Sequence, residues 1–270
     1  MFRVMVKNTL WRIWGMPFCY ALGLLLLCGA CRQQQAAKNT ITVQEIVDAA
    51  IVDSGGEQYK DHTVSFRFRD RLYESALVKG KQVLRRTTHT DSITIVDEKR
   101  GNNFYRIIND SLMTLHDTLA NRYANAVNSV HYFSRLPYGL NAAAVHKQFL
   151  DTVTIKGQRY FKVKVTFDEF NGGDDFEDVY LYWFNIATAK PDYLAYSFAV
   201  NGGGMRFREA FNERYVGGIR FVDYNNYKPL KGQSIDLMDI AQHYERGELE
   251  LLSKIAVEAI TVAPVASAKP

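Results

Sequence analysis

Past residue 31 the chain has no cysteine: all three, Cys19, Cys28 and Cys31, lie within the first 31 of 270 positions. Beyond that point disulfides, thiol nucleophiles, cysteine-based zinc sites and iron–sulfur clusters are excluded. A long apolar run is also lacking. The stretch Pro17 to Leu27 falls short of the roughly 20 apolar residues that cross a bilayer core as a helix. A surplus of charge is lacking too, with 33 basic against 29 acidic residues. Residues 1–30 hold three of the basic residues and none of the acidic ones, so the remainder carries 30 against 29, a formal charge of +1. That remainder has no concentrated positive charge of the kind that binds phosphate backbones, and nucleic acid is not the expected partner. Catalytic signatures are absent as well. There is no G-x-S-x-G elbow, no phosphate loop and no dinucleotide fingerprint, and none of the six histidines pair at i, i+4. No catalytic residue, metal site or cofactor is assigned.

What is present begins with an order of residues. Arg3, Lys7 and Arg12 precede the apolar run, and the small pair Gly29–Ala30 precedes Cys31. A positive end, a short apolar stretch and a small-residue cleavage site make a secretory signal, and a cysteine directly after the cleaved bond makes it the lipoprotein kind. Residues 1–30 are therefore expected to be a lipoprotein signal peptide and Cys31 the lipidated residue; an uncleaved N-terminal anchor is the alternative. Several acyl chains on one residue anchor stably where a single chain does not. The polar stretch Arg32 to Asn39 reads as a tether, giving a lipidated, flexible segment over residues 31–40. Arg32 is not the aspartate that commonly retains lipoproteins in the inner membrane, and the tether has no acidic cluster. The expectation is an exported protein anchored to the outer membrane, facing the periplasm, with the cell surface as the alternative.

From residue 41 the pattern is globular: 47% of the chain is hydrophobic, with 16 Tyr and 16 Phe. Ile46, Val47, Ala50 and Ile51 share one face of a helix that Ser54-Gly55-Gly56 ends. The period then drops to two: Val64, Phe66 and Phe68 alternate with Ser65, Arg67 and Arg69, the mark of a half-buried strand. Short runs at 72–78, 82–89, 92–97, 103–108 and 112–116 follow, separated by turn residues, which implies antiparallel hairpins. Leu119, Tyr123, Val127, Val130, Phe133 and Leu136 predict an amphipathic helix ending before Pro137, and Asn141 is placed to cap a second short helix through Ala144 and Phe149. Strands are expected again at 152–156, 160–167, 178–186, 193–200, 205–211 and 214–224, with Asn201-Gly202-Gly203-Gly204 as a hairpin turn. Ser234 is expected to cap a helix carrying Leu237, Ile240, Ala241 and Tyr244, and one last strand runs near 251–262. The fold class is mainly β with helices (α+β): one domain over residues 41–262, built on a large curved antiparallel sheet, a half-barrel with helices on its concave side, followed by a tail at 263–270.

Two stretches, Tyr180 to Phe184 and Tyr193 to Phe198, are apolar or aromatic on both faces, so both faces need cover. Helices supply one side. The other calls for a second layer of chain, a ligand or a partner.

Three groups of residues bear on chemistry. Asp168, Glu169, Asp174, Asp175, Glu177 and Asp178 surround Asn171-Gly172-Gly173; an oxygen-rich loop can hold calcium, but the spacing is not that of an EF-hand, and a solvated hairpin tip is the plainer reading. His131 lies beside the apolar face of the long helix, as a core histidine would. Arginine alternates with phenylalanine at Phe66 to Arg69 and at Arg206-Phe207-Arg208, with Arg220 beside Phe221. If these strands were neighbours, the guanidinium groups would line a basic wall able to grip carboxylate or phosphate; the plainer reading pairs them with Glu74, Glu209 and Asp223 on an outer face.

Two segments form a recognisable set: Val127 to Pro137 (VNSVHYFSRLP), and Asp192 to Tyr196 through Arg206 to Phe211 into Gly218 to Phe221 and Asp223 to Lys228. Together they resemble an uncharacterised family of Bacteroidota lipoproteins. In architecture the pattern is similar to the LolA/LolB lipoprotein carriers, a resemblance that implies a half-barrel sheet holding acyl chains beneath helices and transfers no function by itself.

The reading is an outer-membrane-anchored periplasmic lipoprotein that binds an amphiphilic or apolar ligand, an acyl chain or envelope lipid. Tyr182, Trp183, Phe184 and Tyr196 would bury the apolar part, and Arg206, Arg208 and His131 are the polar candidates. A protein-docking or assembly lipoprotein is the first alternative and an envelope hydrolase the second. An aromatic-lined cavity favours the carrier, a flat apolar patch the docking protein, and convergence of His131, Arg206 and carboxylates the enzyme.

Overall fold

The computed structural model describes residues 41–169, 177–199 and 202–265. Its first helix, α1 (Val43–Asp53), starts where Thr42 and Glu45 close a capping box, each side chain bonded to the other's backbone N–H. The helix buries Ile46, Val47 and Ala50, the face expected from the 3.6-residue period. Gly55 ends it at a φ of +72°, and a β-carbon there would lie 1.9 Å from the Gly218 carbonyl oxygen, so the turn accepts only glycine. That close approach lets the Arg220 N–H donate to the Ser54 carbonyl at 3.1 Å.

Fourteen strands follow, all paired antiparallel. Sheet 1 has the order β14-β1-β2-β3-β4-β5-β6, from β1 (His62–Phe68), β2 (Arg71–Val78), β3 (Lys81–His89), β4 (Thr94–Arg100), β5 (Asn103–Ile108), β6 (Ser111–Met113) and the last strand, β14 (Glu258–Pro264). Helix α2 (Asp117–Ser134) then crosses to sheet 2, of order β13-β12-β11-β10-β9-β8-β7. Its strands are β7 (Val145–Ile155), β8 (Gln158–Phe167), β9 (Val179–Asn185), β10 (Pro191–Phe198), β11 (Gly204–Val216), β12 (Ile219–Pro229) and β13 (Leu249–Ile255). Apart from β6–β7 and β13–β14, each strand pairs antiparallel with the next in sequence, as short connections require of most of them.

The two sheets meet where the chain passes from β13 to β14. Here side chains replace the ladder: Asp223 accepts from the Val257 N–H at 3.2 Å and from Arg214 Nη2 at 2.9 Å, while Arg214 Nη2 also donates to the Val257 carbonyl at 2.5 Å. Backbone groups leaving one ladder for another must find such partners when buried. The mainly β, antiparallel architecture is thus the one the chain adopts, but its strands are shared between two joined sheets rather than one, and a short helix also covers the face opposite α1 and α2.

Several local expectations need correction. The segment 144–149 is not helical: only Tyr138–Asn141 forms a 3₁₀ turn, and β7 begins at Val145 because ten pairings with β8 outweigh the helix propensity of the alanines. The strands expected at 205–211 and 214–224 are differently divided. A bulge at Asn212, with φ +51°, carries β11 through to Val216, and the chain reverses at Gly217-Gly218 instead. The helix expected after Ser234 is capped at Asp236, whose carboxylate accepts from the Met238 N–H; a 3₁₀ turn (Leu237–Asp239) leads into α3 (Ile240–Glu245). The single last strand is two, in different sheets. The acidic loop's core, residues 170–176, lies outside the described residues, as do Cys31 and the tether.

Two cores flank sheet 2. On the inner face, α1 and α2 pack over both sheets through Ile46, Val130, Phe133, Phe66, Tyr182 and Phe184. On the outer face, Trp183, Tyr193 and Phe207 lie beneath Ile240, Ala241 and Tyr244. The two-faced apolar strands are therefore covered by α1 and α2 on one side and by residues 235–244, which include most of the short helix α3, on the other.

Candidate functional site

Along β9 and β10 the alternation of side chains sorts the expected ligand residues onto two faces. Tyr182 and Phe184 belong to the inner core and Trp183 to the outer one, and all three are fully buried. They cannot line one common surface. Trp183 stacks edge-on against Phe207 at 5.6 Å, and its indole N–H has no hydrogen-bond partner. Tyr182 bonds through its hydroxyl to Tyr132 at 2.5 Å, and burial raises both phenols far above their ordinary pKa.

The half-buried aromatic surface lies further along the same inner face, toward Phe167 at the end of β8 and Phe198 at the end of β10. Tyr180 stacks on Tyr196 at 5.2 Å and meets Tyr132 and Phe167 edge-on at 5.7 and 5.6 Å. Phe198 continues the row at 6.0 Å from Tyr196. Offset and edge-on contacts of this kind add to area burial by matching ring edges to ring faces.

Arg206 and Arg208 close that wall. Their partners across the ladder are Tyr196 and Leu194, which places both guanidinium groups on the inner face. Arg206 lies over the Phe198 ring at 4.9 Å and donates to the Met205 carbonyl. Arg208 lies over Phe133 at 5.4 Å and Tyr196 at 5.2 Å and donates through Nη2 to the Tyr196 hydroxyl at 3.1 Å. Its Nε–H is buried without a partner. Among the described residues neither arginine pairs with a carboxylate; the expected partner Glu209 points to the outer face and holds Lys156 at 2.8 Å.

The broader basic wall does not form. Arg67 belongs to sheet 1 and lies 3.9 Å from Glu258. Arg220 is buried and pairs with Glu213 and, at 3.7 Å, with Asp192, leaving Asp223 to Arg214. Arg206 and Arg208 point inward because the outer face is taken by Phe207 under α3, a consequence of two-sided cover that one strand's alternation cannot reveal.

His131 takes no part in this wall. It is buried against Phe66 and Tyr73 of sheet 1, its Nε2–H donating to the Arg85 carbonyl at 2.9 Å and its Nδ1 unpartnered. Burial pushes its pKa down to about 3, with the Arg135 charge adding to the effect and the Arg85 hydrogen bond opposing it. An imidazole held neutral in a core is a packing group.

Sequence reading missed the polar organisation of sheet 1. Asp97 accepts from Arg86 and from Arg106, whose guanidinium lies 3.4 Å from the centre of the Tyr123 ring. On the opposite face a groove of about 510 Å³ runs over Ala76, Val78 and Val83, edged by Lys79, Lys81 and Glu74. Leu72, Val78 and Leu112 are exposed on this side.

Comparison with known proteins places the chain. The model of DUF6503, a family of unknown function, matches residues 25–257. The protein belongs to this family. That bears out the expected likeness to an uncharacterised family. No curated protein matches. Among solved structures, the DUF6503 chain is similar to a LolA superfamily protein of Nitrosomonas europaea, at 14% identity and a TM-score of 0.44, covering 83% of this chain and 92% of the other. It is also similar to a putative outer membrane lipoprotein-sorting protein domain of Vibrio parahaemolyticus, at 10% identity and TM-score 0.38, covering 68% and 86%. A third likeness is to the Mycobacterium tuberculosis lipoprotein LppX, at 12% identity and TM-score 0.26, covering 61% and 92%.

Proposed function

We propose that this DUF6503 protein is an envelope lipoprotein, anchored through Cys31 at the periplasmic face of the outer membrane, that holds an anionic amphiphile against its inner aromatic wall. Arg208 carries the reading. It is a half-buried cation, bedded on Phe133 and Tyr196, with no carboxylate partner among the described residues and a buried Nε–H left unbonded. A guanidinium presents a planar fork of donors suited to carboxylate or phosphate. Arg206 would share the head group. The rings of Tyr132, Phe167, Tyr180, Tyr196 and Phe198 would shelter the apolar part, the usual division of labour in a small-molecule site. Tyr182, Trp183 and Phe184 would act beneath that surface, as the packed floor that keeps Tyr180 and Tyr196 in place.

The test is native mass spectrometry of residues 36–270 exported to the periplasm, followed by organic extraction. An acidic lipid adduct, lost in the Arg206→Gln/Arg208→Gln double variant, is the expected result. A clean mass for the unaltered protein would overturn it.

The groove on the outer face of sheet 1 favours a second reading, protein docking, because its apolar floor and exposed Leu72, Val78 and Leu112 form a surface of the kind that partners cover. A clean mass together with a partner lost on Val78→Asp would favour it.

A further inference from the structure

Just beyond α2, at the opposite end of that helix from His116, a buried positive charge stands without a negative one. Arg135 is only 8% exposed, and no ion pair to a carboxylate is formed by it among the described residues. Its guanidinium lies over two rings, Tyr59 at 5.2 Å and Tyr138 at 5.1 Å, which themselves stack at 4.5 Å. With the Gln82 amide oxygen turned toward it, the orientation that sets acceptor against donor, Gln82 accepts from Nη1 at 2.8 Å and Nη2 at 2.5 Å. That neutral amide satisfies hydrogen bonds and leaves the charge.

The same place contains a cavity. Tyr59, Ser75, Leu77, Gln82, Arg135 and Tyr138 line a half-open pocket of about 10 Å³. Three of these residues have buried polar atoms with no partner: the Tyr59 hydroxyl, the Ser75 hydroxyl and Arg135 Nε–H. Burial raises the Tyr59 pKa far above its ordinary value, so the phenol keeps its proton and can donate it. Residues carrying three unpartnered donors thus border one small pocket beside a cation that no carboxylate neutralises among the described residues.

A space of this size takes one water or one monatomic ion. A water molecule could bond to all three groups, yet it would leave a full charge buried and uncompensated, a state that costs several kcal/mol and that folded proteins avoid by pairing. An anion meets both demands at once. We infer that Arg135, Tyr59 and Ser75 form a structural binding site for a monatomic halide, chloride in the cell envelope, that neutralises Arg135 and locks the end of α2 onto the β2–β3 hairpin.

Two measurements on the full-length protein in detergent test this. Crystals grown in sodium bromide should give an anomalous peak in the cavity, within hydrogen-bonding reach of Arg135 Nε and the two hydroxyls. Ordinary water density there, without anomalous signal, would overturn the assignment. At constant ionic strength, replacing gluconate by chloride should raise Tm by about 3–6 °C for each tenfold increase above Kd, from mass action on the folded state. Tyr59→Phe keeps the ring stack and removes one donor, so the variant folds and should lose most of that dependence. A chloride effect equal in the variant and the parent would mean a general salt effect and defeat the proposal, as would equal Tm in chloride and gluconate.

Discussion

Asp97 and Glu98 are neighbours in β4 whose carboxylates leave opposite faces of sheet 1, and each holds two arginines. Asp97, 1% exposed, binds Arg86 and Arg106 beneath α2, where the arginines are themselves 9% and 13% exposed. Glu98 is as deeply placed at 3%, but its partners Arg85 and Arg100 are 45% and 55% exposed. Removing the two charges therefore has unequal consequences. Asp97→Asn strands two buried guanidinium groups and should cost about 3–5 kcal/mol. Glu98→Gln releases side chains that turn to water, a loss of about 1 kcal/mol. Urea unfolding at unchanged m-value separates them; equal shifts in midpoint would show that the helix does not seal the Asp97 side.

His131 makes folding sensitive to mild acid. In the folded state burial pushes its pKa down to about 3, against an ordinary value of 6.5. The sign follows from proton counting: between those values the unfolded chain binds a proton that the folded chain refuses, so stability is complete above pH 6.5 and drains away as pH falls toward 3. The slope approaches about 1.4 kcal/mol per pH unit from one group. His131→Gln can keep the hydrogen bond to the Arg85 carbonyl without titrating. Its stability should be lower at pH 7 and flatter from pH 6.5 to 5; an unchanged slope would assign the acid sensitivity to other groups.

The sequence made the strands of sheet 1 legible because each is covered on one face only: Val64, Phe66 and Tyr73 face inward while Arg67 and Leu72 face outward, and the period of two survives. The buried face of α1, the end of α2 before Pro137 and the need to cover both faces of β9 and β10 could be read for equally local reasons. Sheet 2 hid more. With both its faces buried, alternation no longer says which residue points where, and the sequence alone groups Trp183 with Tyr182 and Phe184, from which the sheet separates it. The bulge at Asn212 and the crossing at Val257 depend on Asp223 and Arg214 meeting across strands distant in sequence. No local pattern reports such meetings. For the candidate site, Arg206, Arg208 and Tyr196 do come together, whereas His131 belongs to another layer. Arg135 carries no signal in the sequence, since only the folded chain shows that no acid among the described residues pairs with it.

The cover over the outer face of sheet 2 rests on Tyr244. Its ring stacks on Phe207 at 4.5 Å and touches Tyr193 and Tyr227 at 5.8 and 5.2 Å, while its hydroxyl accepts from Lys156 Nζ. Lys156 in turn bridges to Glu209, and its backbone N–H donates to Glu245, so the short helix α3 is held to the sheet by one ring and one lysine. A helix of two turns has little stability of its own and exists here through packing. Tyr244→Ala should cost about 3–5 kcal/mol, the range for emptying a buried aromatic position, and should expose Phe207 and Trp183 to dye and to quencher. Tyr244→Phe keeps the ring and loses the hydroxyl's bonds to Lys156, Glu209 and Tyr227, about 1 kcal/mol each, and leaves the cover closed. Tryptophan quenching by acrylamide distinguishes the two: if Tyr244→Ala left the emission as shielded as the parent, residues 235–244 would be held by the aliphatic contacts of Leu237 and Ile240, and the ring would be dispensable.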